Sequence, residues 1–135
     1  MPDHRLIIAR AHWDEMRRHV AAHAPLEACG LVAGRAGTSA AVITVTNALG
    51  SPVQFRMDAQ EQFRAFEQIE AADQDILAIF HSHPNGPPVP SPTDLAEAAY
   101  PVVNLIWTLV NGEWTARGFW IEGGVYTEVT LELVE

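Results

Sequence analysis

Lysine is absent from this chain: all eight basic residues are arginine, set against 17 Asp and Glu, for a formal net charge of −9. A phosphate backbone is gripped by clustered cations that displace its counterions, so nucleic acid is excluded as the main partner. The missing lysines carry no functional meaning of their own. Cysteine is nearly as scarce. With Cys29 alone, no intramolecular disulfide can form and a cysteine-only zinc site is excluded, so any metal must rest on histidine and carboxylate. No apolar run approaches the roughly 20 residues of a membrane-spanning helix, and Met1-Pro2-Asp3-His4 lacks the basic-then-apolar pattern of a secretory leader. The expectation is a cytoplasmic chain without a membrane partner.

What is present fits one globular unit. At 135 residues, 48% hydrophobic and 19% charged, the chain can bury a core without staples. It shows no repeat, linker or low-complexity segment, so a single domain over 1–135 is expected. Leu6-Ile7-Ile8-Ala9 predicts a short strand, and residues 11–22 a helix with Trp13, Met16 and Val20 on its buried stripe. His12, His19 and His23 lie on or beside that helix as solvated surface residues; Val20 occupies the place after His19 where a zincin needs its Glu. Residues 26–34, 41–46 and 53–57 predict strands, with a turn over Asn47 to Pro52. Asp58 should cap a helix to about Ala72, with Phe63, Phe66 and Ile69 on its buried side. Beyond residue 101 the chain is β in character. Asn111-Gly112 and Gly123-Gly124 separate runs over 102–110, 114–121 and 125–134 into an antiparallel meander, whose Trp107, Trp114 and Trp120 pack between sheet and helices.

One stretch stands apart. Ile76-Leu77-Ala78-Ile79-Phe80 reads as a buried strand and runs into His81-Ser82-His83-Pro84. Side chains two apart on a strand leave the same face, so His81 and His83 can converge on one ion. The loop 85–90 then turns the chain into Ser91-Pro92-Thr93-Asp94, a helix start with Pro at its first position and Asp94 facing back towards the strand end, and a short helix over 95–100 closed by Pro101 is expected to follow. A bland reading exists for each part. Ser91 and Asp94 resemble a capping box with Asp in place of Glu or Gln, and the histidines can be separate structural residues. Glu27, near the start of an apolar strand, is either solvent-exposed at the strand end or held in a site, since an unpaired buried carboxylate is costly.

Taken whole, His81-Ser82-His83-Pro84, six residues, Ser91, two residues and Asp94 resemble, without a gap, the signature of the JAMM, or MPN-plus, zinc metalloproteases. Leu26-Glu27-Ala28-Cys29-Gly30-Leu31 resembles the family's upstream glutamate segment, and the similarity extends through Phe55-Arg56-Met57-Asp58 to the closing strands. The length matches the minimal prokaryotic form, with little room for the two ubiquitin-gripping insertions of eukaryotic members. The resemblance implies an α/β (α+β) domain of MPN/JAMM type, cytidine-deaminase-like, with a central mixed, largely antiparallel β-sheet flanked by helices. It implies one Zn²⁺ held by His81, His83 and Asp94, with Glu27 as general base and Ser91 as donor to the oxyanion. Zinc held by three protein ligands leaves a position for water, the mark of a catalytic site.

The expected activity is therefore hydrolysis by a zinc-dependent isopeptidase or peptidase at the C-terminal Gly-Gly tail of a ubiquitin-like or sulfur-carrier protein. Two other functions compete. A non-catalytic MPN scaffold would need neither Glu27 nor Ser91. A RadC-like protein associated with DNA repair would typically carry Asn where this chain has Ser82. Monomer and homodimer both remain open from sequence.

Overall fold

The apolar run ahead of the histidines lies in the middle of the sheet of a computed structural model that describes residues 4–98 and 100–135. In chain order the elements are β1 (Leu6–Ala9), α1 (Arg10–His23), β2 (Cys29–Arg35), β3 (Thr38–Val45), α2 (Ala59–Ala71), β4 (Asp75–Ser82), α3 (Pro92–Glu97), β5 (Val103–Val110), β6 (Glu113–Glu122), β7 (Val125–Val129) and β8 (Leu131–Val134). The sheet order is β7-β6-β5-β4-β2-β3-β1-β8. Four neighbouring pairs are antiparallel and three parallel, the parallel ones being β1 with β3, β1 with β8, and β4 with β5. The expected mixed, largely antiparallel sheet flanked by helices is what forms.

Alternation along the central strands separates two cores. On one face Ala28, Val32, Ala78, Phe80, Val103, Leu105 and Trp107 pack with Met16 and Val20 of α1. On the other, Cys29, Leu31 and Ala33 pack with Ala65 and Ile69 of α2. The Trp13 ring lies 4.5 Å from that of Trp107, so the predicted α1 stripe is the packed one. β7 and β8 occupy opposite edges of the sheet although only Thr130 separates them. The sheet must therefore curl until its edges approach, and the side chain of Leu131 lies against Gly118 of β6. α1 sits inside that curl.

Several expectations need correction. The strand predicted over 26–34 begins only at Cys29, because the Leu26 and Glu27 amides bond the carbonyls of His23 and Ser51 instead of a ladder. Residues 53–57 form no strand beyond a bridge from Met57 to Asn47. There the Asn47 side chain takes the Arg56 amide and the Gln54 carbonyl. Phe63 is 63% exposed, and Ala65 takes its expected place beside Ile69 on the buried face of α2. The run 125–134 breaks at Thr130, and its second half crosses to pair in parallel with β1. The helix predicted over 95–100 is α3 and ends at Glu97; Ala99, like Met1 to Asp3 of the leader reading, lies outside the described residues. His12 and His19 are half-buried, with His12 Nδ1 2.7 Å from Ser39 Oγ and His19 Nε2 donating to the Cys29 carbonyl. Trp120 lies over the His4 ring, with centroids 3.5 Å apart. The capping of α2 by Asp58 is as predicted. So are the turns at Asn111-Gly112 and Gly123-Gly124, where positive φ at Asn111 and Gly112 gives the hairpin twist that joins β5 to β6.

Gly30 marks the tightest point of the central sheet. A Cβ there would stand 2.4 Å from the Phe80 ring and 2.6 Å from the Ile43 carbonyl oxygen, and Phe80 is fully buried with nowhere to move. Overpacking of this kind costs about 1–3 kcal/mol. Thermal unfolding of Gly30→Ala should show a melting temperature roughly 3–11 °C below wild type.

Candidate active site

β4 delivers the histidines. His81 pairs with Cys29 on β2 and Ile106 on β5, while His83 lies just past the strand end with its amide bonded to the Trp107 carbonyl. Both side chains leave the sheet on the α2 side, as the alternation predicts. Because β2 runs antiparallel to β4, the chain entering β2 arrives beside the chain leaving β4. Glu27 thereby comes next to His83, and donor atoms of Glu27, His81 and His83 lie within 4.8 Å of one another. Glu27 is 4% exposed, so of the two alternatives left open by its segment the solvent-exposed one does not hold.

α3 brings the remaining groups. The Ser91 amide donates to Asp94 Oδ2 at 2.8 Å and the Asp94 amide to Ser91 Oγ at 3.0 Å, a complete capping box. This box aims the carboxylate back at the sheet. Asp94 Oδ2 stands 3.2 Å from His81 Nε2 and 3.1 Å from His83 Nε2, and the two nitrogens are 3.0 Å apart. His83 Nδ1 is 2.8 Å from the Pro87 carbonyl; a carbonyl only accepts, so Nδ1 carries the hydrogen and the neutral ring turns a lone pair inward at Nε2. That lone pair faces carboxylate oxygen and a second imidazole nitrogen, an arrangement held together only by a proton or a cation. Donor atoms on a tetrahedral zinc at 2.0–2.1 Å lie roughly 3.3 Å apart, close to the triangle observed. The donor set therefore fits a metal ion.

Protonation follows the same geometry. Burial pushes the His81 ring below its usual range, with Asp94 opposing. His83 is raised: burial pulls it down, but its hydrogen bonds to Asp94 and Pro87 and the charges of Asp94 and Glu27 outweigh that. For Asp94, burial raises the carboxyl, yet the hydrogen bonds from both histidines, the charge of His81 and the Ser91 amide together hold it far below the usual carboxylate range. Glu27 moves the other way. Burial first, and the Asp94 charge after it, push it up to about 7 against the opposing pull of His83. One carboxylate is thus held ionised while the other is poised to exchange a proton near neutrality. Cys29 adds nothing to this chemistry, since burial pushes its thiol up to about 12 and its Sγ faces the Val45 carbonyl.

Three neighbours had no role at the site in the sequence reading. Phe55 stacks on the His81 ring at 4.4 Å and 20°. Ser82, between the histidines, points to the α1 side and accepts from the Ala28 amide at 2.9 Å, while its own amide bonds the Ala28 carbonyl. Asn47 bonds the Glu27 carbonyl. Only Ser82 left a signal, through its parity with Phe80. A cavity of about 180 Å³ lies beside His81 and Asp94, lined by Phe55, Arg56, Met57, Ile79 and Tyr100 among others; Glu27 and Ser91 do not line it.

Residues 9–122 match the family described as prokaryotic homologs of the JAB domain. A desampylase of Pyrococcus furiosus is 36% identical over 113 residues, covering 82% of this chain and 79% of that one. A CysO-cysteine peptidase of Mycobacterium tuberculosis is 33% identical over 134 residues, covering 96% and 92%. Protein DSY2949 of Desulfitobacterium hafniense, solved in solution, superposes with a TM-score of 0.86 at 30% identity, covering 96% of this chain and 93% of that one.

Two outcomes follow from the site's electrostatics. Asp94→Ala removes the oxygen shared by both imidazoles, and metal analysis of the purified variant should fall from one ion per chain to near zero. In chelator-treated protein, the Glu27 carboxyl is raised from 4.5 to about 7, so the folded form binds its proton more tightly than the unfolded form. That contribution is complete below pH 4.5 and is lost as the pH rises through 7. Urea melts at pH 5 and pH 8 should show wild type losing about 1–3 kcal/mol relative to Glu27→Gln over that interval.

Proposed function

The chain belongs to the prokaryotic homologues of the JAB domain, and from that premise we propose that it is a zinc-dependent peptidase or isopeptidase. Its substrate is the C-terminal Gly-Gly tail of a ubiquitin-like or sulfur-carrier protein, and it frees whatever amine is joined to that tail. The observation that carries the reading is the convergence of His81, His83 and Asp94 on one point with Glu27 at its side. A scaffold has no use for a buried carboxylate poised near neutrality, and the relatives named above are a desampylase and a peptidase.

In this reading His81, His83 and Asp94 hold the metal. Bound there, zinc polarises the scissile carbonyl and lowers the pKa of water to about 7. Glu27 takes the proton from the attacking water and returns it to the departing amine, a double task suited to a carboxyl near 7. Ser91 Oγ accepts from the Asp94 amide and still has its own hydrogen to donate to the developing oxyanion. Capping and catalysis thus use different parts of one hydroxyl. The amine must leave on the Glu27 side, so the acyl side of the tail falls towards the cavity walled by Phe55, Met57, Ile79 and Tyr100. The curled sheet and the helices on its faces keep bulk water from the two histidines, which are 1% and 5% exposed.

The test is cleavage of a fusion in which a small Gly-Gly-ending carrier is extended at its C-terminus. Wild type should release the extension after the second glycine. Glu27→Gln should keep one metal ion per chain and lose about 10²–10⁴-fold in kcat. A Gln variant as fast as wild type would overturn the assignment of the base.

A further inference from the structure

Glu27 does not sit on a regular strand, so something else must fix it. Its residue precedes β2 by two positions, and its amide and carbonyl are both bonded to the segment between β3 and α2. The amide donates to the Ser51 carbonyl at 2.8 Å. The carbonyl accepts from Asn47 Nδ2 at 3.0 Å. Asn47 does more than this. The same Nδ2 donates to the Gln54 carbonyl at 3.0 Å, while Oδ1 accepts from the Leu49 amide at 3.1 Å and the Arg56 amide at 3.0 Å. All four hydrogen-bonding positions of the side-chain amide are used on backbone groups. Its orientation is fixed by them, because reversing the amide would set oxygen against two carbonyls and NH₂ against two amides.

Two of those bonds close the 47–56 segment on itself, and a third, from the Leu49 amide, shapes its first turn. The fourth ties it to Glu27. Phe55, one residue before the Arg56 bond and one after the Gln54 bond, lies on the His81 ring and walls the cavity beside it. Among the described residues His81 Nδ1 is buried with no hydrogen-bond partner. The Phe55 ring packs on the face of this imidazole at 4.4 Å, a contact that restricts the ring plane beside any hydrogen bond at Nδ1. One side chain consequently fastens the segment that backs a metal-binding imidazole to the segment that carries the carboxylate opposite.

We propose that Asn47 is the positioning residue of this site: it sets Glu27 and the Phe55 wall at a fixed separation, so that the base meets the water and the tail in one geometry. Asn47 touches neither substrate nor metal and acts through Glu27. The inference rests on Glu27 being the base, and the test separates the two. Asn47→Ala removes all four bonds. Asn47→Asp keeps the two acceptor bonds from the Leu49 and Arg56 amides, loses the donor bonds to Glu27 and Gln54 and sets an oxygen against those two carbonyls, so it breaks the Glu27 tie while the Leu49 turn is retained. Either variant may be read if the other does not fold.

Both variants should retain one metal ion per chain and lose at least 10-fold in kcat on the carrier fusion, more than any change in KM. Combined with Glu27→Gln, they should cost less than 2-fold beyond the Gln variant alone, because a positioning residue has nothing left to position. A readout independent of turnover is amide hydrogen exchange of chelator-treated protein. The Glu27 and Arg56 amides should exchange at least 10-fold faster in Asn47→Ala, with the Leu31 amide in β2 unchanged. A multiplicative loss in the double variants, loss of the metal, unchanged kcat or unchanged exchange at Glu27 would each overturn the role of Asn47. If instead Glu27→Gln itself cleaves at the wild-type rate, the functional reading fails first.

Discussion

The antiparallel pairing of β2 with β4 is the constraint on which the site depends. Its register sets Cys29 opposite His81, and the two chain directions then bring residue 27 beside residue 83. A slip of one residue would turn His81 and His83 towards α1 and bury them in an apolar core. The register is held by fit as much as by hydrogen bonds. Gly30 leaves the space that the Phe80 ring fills, and Ser82 clasps Ala28 from the opposite strand through two bonds. The packing of one face thus decides the chemistry displayed on the other.

Burial gives that chemistry its character. Two imidazoles and two carboxylates share one end of the sheet, and each would be expensive to bury without the others. Asp94 is kept ionised by donors on three sides, whereas Glu27 is at least as deeply buried with fewer partners. The difference between two chemically similar side chains is one of hydrogen bonding. It leaves a group that stays charged beside a group that can exchange a proton, the contrast on which the proposed role of Glu27 rests.

Much of this was legible in the chain. Period-two alternation from Ile76 to His83 put both imidazoles on one face before any fold was known, and Ser91-Pro92-Thr93-Asp94 announced a helix start whose cap is the device that aims Asp94. α1 and α2 form where their apolar spacing and the Asp58 cap placed them. Residues 53–57 misled because they are apolar enough for a strand, yet the Asn47 side chain takes the Gln54 carbonyl and the Arg56 amide, and pairing goes no further than the bridge at Met57. The run from 125 to 134 misled for another reason: an edge strand can pair with either edge of a curled sheet, and local pattern does not encode curl.

What the sequence determined by itself was local: which side chains share a strand face, where helices begin, and that any metal here must be held by histidine and carboxylate. Those follow from backbone periodicity and from composition, which no distant contact changes. Only the tertiary structure decided that Glu27, 54 residues before His81, stands beside His83, and that Asn47 fastens it to the Phe55 wall. Glu27 alone left two readings and Asn47 read as an ordinary turn residue, because a carboxylate's pKa and an amide's four partners are set by whatever the fold packs around them.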